Sequence, residues 1–299
     1  MYSAYHLTIQ SEIALPELIE LDNSANHAVD VIVKFAKIPS HGLTDGKQLG
    51  PFLWVSPSSL WLDVPDVARF LIENGRDISI DPVPGIDEES LRVFLLGSAF
   101  GALLFQRGLL VLHGNAVQIG NQVMICVGHS GAGKSTLAAG FMRRGYPVLA
   151  DDVVPIDAEC HALPGFPRIK LWQDVADELK IDTSKLERIR PGINKFNYPL
   201  DKTFHDKKLP VRWIYILHAE NQLKDFELTP IEGMERFIPL RDNTYRVRYL
   251  EGMNLKADHL KLCGKLASSI RLAKMTRPNG HFDLDGLIDH ILKDIKANP

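Results

Sequence analysis

Cysteine is scarce in this sequence: Cys126, Cys160 and Cys263 are three in all, odd in number and far apart. They form no CxxC pair and no disulfide framework, a usage suited to a reducing compartment. A long hydrophobic run is also missing. The most apolar stretch, 93–113, is broken by Gln106 and Arg107 and falls short of the roughly 20 apolar residues that a spanning helix needs. Residues 1–10 hold no basic region followed by an apolar one, so no signal peptide is expected and the chain reads as cytoplasmic. Charge of one sign is lacking too, with 34 basic against 37 acidic residues and a formal net charge of −3. That balance gives no electrostatic reason to expect nucleic acid or a membrane as partner. Repeats and low-complexity tracts are absent.

What is present is an ordinary globular composition, 45% apolar and 24% charged over 299 residues, enough for one large domain or two modest ones. Residues 1–84 read as short strands (5–10, 30–35, 52–55, 60–63, 69–73, 77–80) punctuated by Pro and Gly. Asn74-Gly75 marks a hairpin, because both positions tolerate positive φ. This predicts a β-rich N-terminal module over 1–85, separated by the hinge Pro82-Val83-Pro84-Gly85 from a second domain over 86–299. Asp87 is placed to cap a helix running to Phe105, with Glu88 and Glu89 favourable at its dipole. Strands are expected over 109–113, 116–119, 122–127 and 148–150, the last carrying Asp151 and Asp152 at its end. Beyond Ile156, strands are expected at 169–171 and 211–217, and helices at 172–179, 257–273 and 284–297.

The segment Gly128-His129-Ser130-Gly131-Ala132-Gly133-Lys134-Ser135-Thr136 matches G-x-x-x-x-G-K-[ST]. Glycines let successive N–H groups turn inward and form a concavity for anions, and the helix starting near Lys134 adds its positive end. Lys134 is the residue to reach the β- and γ-phosphates, and the Ser135 hydroxyl can ligate Mg²⁺. The expected cofactors are ATP and Mg²⁺. A GTPase would carry an N-K-x-D motif; Asn194-Lys195-Phe196-Asn197 lacks the Asp.

Three more features lie near the loop in sequence. His113 stands before it, Asp151-Asp152 after it, and Arg168 and Lys170 follow a Gly/Pro turn. Phosphoryl transfer needs an acceptor hydroxyl relieved of its proton, a metal bridging phosphates and positive charge for the transition state. Adjacent carboxylates can divide the first two tasks. Taken singly, an Asp-Asp is more often a solvated turn, a His on an apolar strand a satisfied core residue, and Arg168 and Lys170 surface charges. Their combination around one loop favours chemistry.

In this respect the segment resembles the C-terminal domain of HPr kinase/phosphorylase, through His113-Gly114, the loop from Gly128 to Ser135, and Ala150-Asp151-Asp152 in that order. The resemblance covers about 113–156. It implies an α/β chain with a P-loop kinase domain of the HPr kinase and phosphoenolpyruvate carboxykinase type, preceded here by the small β-rich N-terminal module. It also implies Asp151 as general base, with Asp152 and His113 as partners and Ser135 and Asp152 at the metal. The chain departs from the family at His129, a position usually acidic there, and shows no recognisable metal-binding glutamate signature. The layout, with its Pro-Gly-x-Pro-Arg-x-x-Leu-Trp-like stretch at 164–172, is similar to HPr-kinase-related proteins of peptide-biosynthesis clusters. Some of these, the lasso-peptide precursor kinases, phosphorylate a precursor's terminal serine.

The expectation is therefore a Mg-ATP-dependent kinase acting on a serine of a peptide or small protein. Arg168, Lys170 and Lys195, and more weakly Arg190, are candidates to neutralise developing charge. A kinase of a small hydroxyl metabolite and a non-catalytic nucleotide-binding regulator remain open alternatives. A homo-oligomer is implied only by the behaviour of the HPr enzymes.

Overall fold

The computed structural model describes residues 1–22, 27–279 and 283–299. It is a mixed α/β chain built on two large sheets and a short ribbon. The first sheet has nine strands in the spatial order Ile19–Glu20, Tyr2–Ala4, Leu7–Ser11, Val31–Phe35, Asp77–Pro82, Ala68–Glu73, Ser59–Val64, Leu53–Val55 and Lys47–Gly50. Alternation explains its face: in Ala68–Glu73, Ala68, Phe70 and Ile72 are buried while Arg69, Leu71 and Glu73 are half-buried. The hairpin at Asn74-Gly75 forms as expected, with φ of 54° and 61°.

The helical stretch after Asp87 covers that buried face. Asp87 caps Glu88–Phe94 through the Ser90 amide, a π-helical turn spans Leu95–Ala99, and Phe100–Gln106 completes it. Leu91, Leu95, Phe100, Leu103 and Leu104 share one core with Ile9, Phe70, Ile78 and Ile80. Among the described residues no helix is long and apolar enough to cross a membrane.

The second sheet has seven strands, in the order Gln122–Val127, Leu110–Ile119, Val148–Ile156, His161–Ala162, Leu209–Glu220, Arg271–Pro278 and Glu227–Pro230. A further parallel pairing of Gln122–Val127 with Leu209–Glu220 closes the first five into a ring of paired strands. The helix Lys134–Arg143 lies against Leu284–Ala297, packed through Leu137, Phe141, Leu287, Ile288 and Ile291. Arg144 adds ion pairs to Asp285 and Asp289. Arg168–Trp172 and Lys195–Pro199 form a separate antiparallel ribbon.

Four expectations are corrected. The strand expected over 5–10 is a hairpin, Tyr2–Ala4 with Leu7–Ser11, turning at Tyr5 and His6 with φ of 55° and 60°. Buried Tyr5 is held there by its amide on the Pro164 carbonyl at 2.8 Å. The two strands on either side of Gly114-Asn115 are one, Leu110–Ile119, with an irregularity at Ala116/Val117. The strand bearing Asp151 and Asp152 does not end there but runs on to Ile156, paired along its length with Leu110–Ile119. The helix expected over 257–273 stops at Ser269, and Arg271–Pro278 joins the sheet beside Leu209–Glu220. Its buried Leu272, Ala273, Met275 and Thr276 gain more from that pairing than from a helix end.

Candidate active site

The strand Gln122–Val127 ends at the Gly-rich loop, and Gly133 with φ of 97° is the cap residue from which the helix Lys134–Arg143 starts. Gly128 leaves no room for a side chain, since an added Cβ would sit 2.7 Å from the Leu217 carbonyl oxygen. The Lys134 ammonium donates to the carbonyls of Gly128 at 2.8 Å and His129 at 3.2 Å. Lys134 thus bridges the concavity that its own loop encloses. Asn115, fully buried on the neighbouring strand, donates to the Lys134 carbonyl and ties the helix start to the sheet.

Two consecutive residues of a strand normally point to opposite faces. Asp151 and Asp152 nevertheless both line one cavity, and the departure is local: Asp152 has φ of 74°. Among the described residues it is the one non-glycine left-handed residue inside a strand. Such a conformation costs on the order of 1–3 kcal/mol and persists where the surroundings enforce it. Here the enforcing contacts come from both sides. The Lys170 ammonium meets the Asp152 carboxylate at 2.9 Å, and His113 Nδ1 lies 3.0 Å from the Asp152 carbonyl and 3.3 Å from its carboxylate.

Asp151 has different partners. It accepts from the Ser135 hydroxyl at 3.1 Å and from the Lys170 amide at 2.9 Å. Asp151 thus touches the loop serine, and Asp152 holds the histidine. Burial and then the Asp152 charge raise the Asp151 carboxyl above its ordinary range. Asp152 is pulled low in spite of its burial, by Lys170 and His113. Burial lowers His113 below 6.5, helped by the Lys134 charge and opposed by Asp152. Lys134 and Lys195 are lowered as well, each chiefly by burial.

The cavity, about 270 Å³, brings together His113, Ser130, Gly131, Gly133, Lys134, Ser135, Thr136, Asp151, Asp152, Lys170 and Lys195. Gly128 and His129 line an adjoining groove of about 320 Å³ that shares His113 and Ser130 with it. Ala132 turns inward and packs among Leu137, Leu217 and their neighbours. Arg168 is not brought to the site. It is buried at the far end of the ribbon, donating to Asn197 at 2.8 Å with its guanidinium over Phe166, and it faces a separate depression beside Glu17. Arg190 lies over Phe94.

Residues 242–246 escaped the sequence reading. The Asn243 carbonyl accepts the His113 amide at 2.8 Å, Thr244 bridges to Leu112, and the Tyr245 ring lies 5.9 Å from the His113 ring. Arg246, left-handed at φ of 44° and exposed, lines the groove next to His129. No local pattern announces them, because only the fold carries this turn to the far side of His113. Trp172 and Asp174, which line the cavity, were also missed as site residues. A large aromatic out of phase with the apolar positions Ile169 and Leu171 was the available signal for Trp172.

The oxygens of Ser135 and Asp151 suit a hard cation such as Mg²⁺, which takes one or two protein ligands and completes its shell from phosphates and water. Consistent with so few protein donors, no group of three or more His, Cys, Asp or Glu side chains among the described residues could hold a metal alone. No protein-family model and no curated protein matches the chain. Solved structures similar to it include the HPr(Ser) kinase/phosphatase from Coxiella burnetii, at 12% identity over 62% of this chain and 96% of that one, with a TM-score of 0.33. A likeness of that size decides nothing about chemistry, which rests on the geometry of the cavity.

Proposed function

We propose that the chain is a Mg-ATP-dependent kinase of the HPr kinase type that phosphorylates a serine hydroxyl of a peptide or small protein. The observation that carries this reading is the convergence of Lys134 and Ser135 with a divided carboxylate pair in one cavity. Lys134 and the loop amides hold the β- and γ-phosphates, leaving its present carbonyl partners for phosphate oxygens. Bound Mg²⁺ would offset the negative charge of the phosphates. Ser135 and Asp151 are the side chains to hold it.

Asp152 is the base. Its carboxylate takes the serine proton as the Oγ–Pγ bond forms and the bond from Pγ to the β–γ bridging oxygen breaks, releasing ADP. His113 and Lys170 keep that carboxylate ionised and aimed. Lys170 and Lys195 balance charge on the equatorial oxygens. The acceptor enters along the groove of His129, Tyr245 and Arg246, which opens past His113 to the surface. An open groove of this kind suits a peptide segment better than a small metabolite, which a closed pocket would hold.

The test is to incubate the chain with Mg-ATP and serine-ending precursor peptides, an HPr protein and common hydroxyl metabolites, read by mass spectrometry. A phosphate on a peptide serine, reduced about 10²-fold or more in Asp152→Asn, supports the assignment. Phosphate on a metabolite alone moves the acceptor class. An Asp152→Asn variant as fast as the parent removes Asp152 as the base.

A further inference from the structure

The cavity has two kinds of wall, and they differ in chemistry. His113 leads into the groove of Tyr245 and Arg246. Trp172, Asp174 and Val175 line the cavity but not that groove. Trp172 is 51% exposed, which is unusual for the largest apolar side chain of a strand whose Ile169 and Leu171 are fully buried. It does not project at random into solvent. Trp172 is paired in register with Lys195 across the ribbon, and the Lys195 ammonium lies 5.3 Å from the centre of its ring. One wall of the phosphate cavity is thus an indole face held by a cation.

We propose that Trp172 is the platform on which the base of the nucleotide stacks, with Lys195 passing from the indole to the phosphates when nucleotide binds. This rests on the phosphate-loop reading of Gly128 to Thr136. The ribose and the remaining phosphates separate a nucleotide's base from its γ-phosphate, so with the phosphates at Lys134 and Ser135 the base reaches either towards the Arg246 groove or towards Trp172. The Arg246 groove is the wrong one. His113, which holds Asp152, lines it, and a base there would occupy the approach of the acceptor hydroxyl to Asp152. Towards Trp172, Asp151 accepts from the Ser135 hydroxyl and from the amide of Lys170, two residues before Trp172 on the same strand. An indole offers any base a π-face, and Asp174 beside it is the side chain placed to accept from an exocyclic or ring N–H. An ammonium near an aromatic face is also a natural partner for phosphate once its ring contact is replaced by the base.

The experiment is equilibrium binding to the full chain by calorimetry, with Mg-ATP and inorganic tripolyphosphate as probes, for the parent, Trp172→Ala, Trp172→Phe and Lys134→Ala. Trp172→Ala is expected to weaken ATP by about 5- to 100-fold while tripolyphosphate keeps its affinity, and Trp172→Phe is expected to retain most of the ATP affinity. ATP should also quench the parent's tryptophan emission and leave that of Trp172→Phe unchanged. Equal ATP affinity in Trp172→Ala and the parent overturns the platform while leaving the loop intact, as does equal weakening of both probes. If the parent binds neither probe, or Lys134→Ala binds both unchanged, the phosphate-loop reading falls and the platform with it.

Discussion

The two large sheets treat strained backbone and charge in opposite ways. In the nine-stranded sheet the left-handed residues Tyr5, His6, Asp66 and Asn74 all sit at turns, where the chain must reverse and the conformation serves the fold. Its carboxylate Asp81 is met by two cations, Lys37 at 3.0 Å and Arg69 at 3.3 Å. In the seven-stranded sheet the left-handed Asp152 interrupts a strand that pairs on both sides of it. Its neighbour Asp151 is half-buried beside a like charge and satisfied by a hydroxyl and an amide in place of a cation. One sheet resolves its local costs; the other retains them at one spot. Retained strain and like charge at a cavity point to a site shaped for a ligand rather than for the fold.

Removing the charge that the cavity gathers should break this contrast most strongly. Lys134→Ala is expected to lower turnover about 10³-fold, as loss of a preorganised phosphate donor does, with the melting temperature nearly unchanged. Steady-state rates with the acceptor found by mass spectrometry, set beside a thermal melt, check both halves. A fall in activity matched by a large fall in melting temperature would make Lys134 a structural residue.

Arg246→Ala acts on the adjoining groove and is expected to do less. Loss of one charge-assisted hydrogen bond corresponds to about a tenfold weakening or somewhat more. It should appear as a raised KM for the acceptor with the KM for ATP unmoved. A rise in the ATP constant instead would put Arg246 on the nucleotide and reverse the two assignments.

Asp151→Asn sharpens the comparison by separating function from stability. The Asp151 carboxyl is raised in the folded chain, by burial and by the Asp152 charge. Its folded pKa lies above its unfolded one, so the ionised group opposes folding. The penalty is absent below the unfolded pKa, sets in as pH rises through it, and is complete above the folded pKa. Asn keeps an acceptor for the Lys170 amide and carries no charge. The metal-free variant should therefore melt about 2 °C higher at pH 7, and the gain should shrink as pH falls through the carboxylate range, while Mg-ATP turnover is lost. Unchanged or lowered stability at pH 7 would mean that the carboxylate's two hydrogen bonds outweigh its desolvation.

What could be read before folding was whatever is written locally. The Gly-rich loop, the Asp87 cap, the Asn74-Gly75 hairpin and the Asp151-Asp152 pair are each specified within a few residues, by turn chemistry or by the spacing that phosphate needs. The misreadings share a different cause. The Tyr5-His6 turn has no Gly or Asn to announce it and depends on the Pro164 carbonyl, far along the chain. Arg271–Pro278 becomes a strand because Leu209–Glu220 offers it an edge. Arg168 and Lys170, alike in sequence, part company because the ribbon carries Arg168 towards Asn197 and Lys170 towards Asp152. Residues 242–246 join the site by packing along Val111, Leu112 and His113, a contact between segments with no common pattern.

The helix beginning at Asp87 belongs to the first sheet by its core, and it also touches the site. A Cβ added at Gly101 would lie 2.7 Å from the Tyr245 ring, and that ring lies beside His113. The smallest prediction therefore tests where the boundary between the two regions falls. Asp87 accepts from the Ser90 amide at 2.7 Å and the Ser90 hydroxyl at 3.0 Å, so Asp87→Ala should cost about 1 kcal/mol of stability, read by urea denaturation. If the helix serves only its own sheet, the KM values for ATP and acceptor stay as they were. If the acceptor KM shifts with the cap removed, then fraying at Glu88 has reached Tyr245 through Phe100 and Gly101, and the nine-stranded sheet helps to shape the acceptor groove. The Tyr245 ring occupies the space where a Gly101 side chain would stand, so a displaced helix meets that ring.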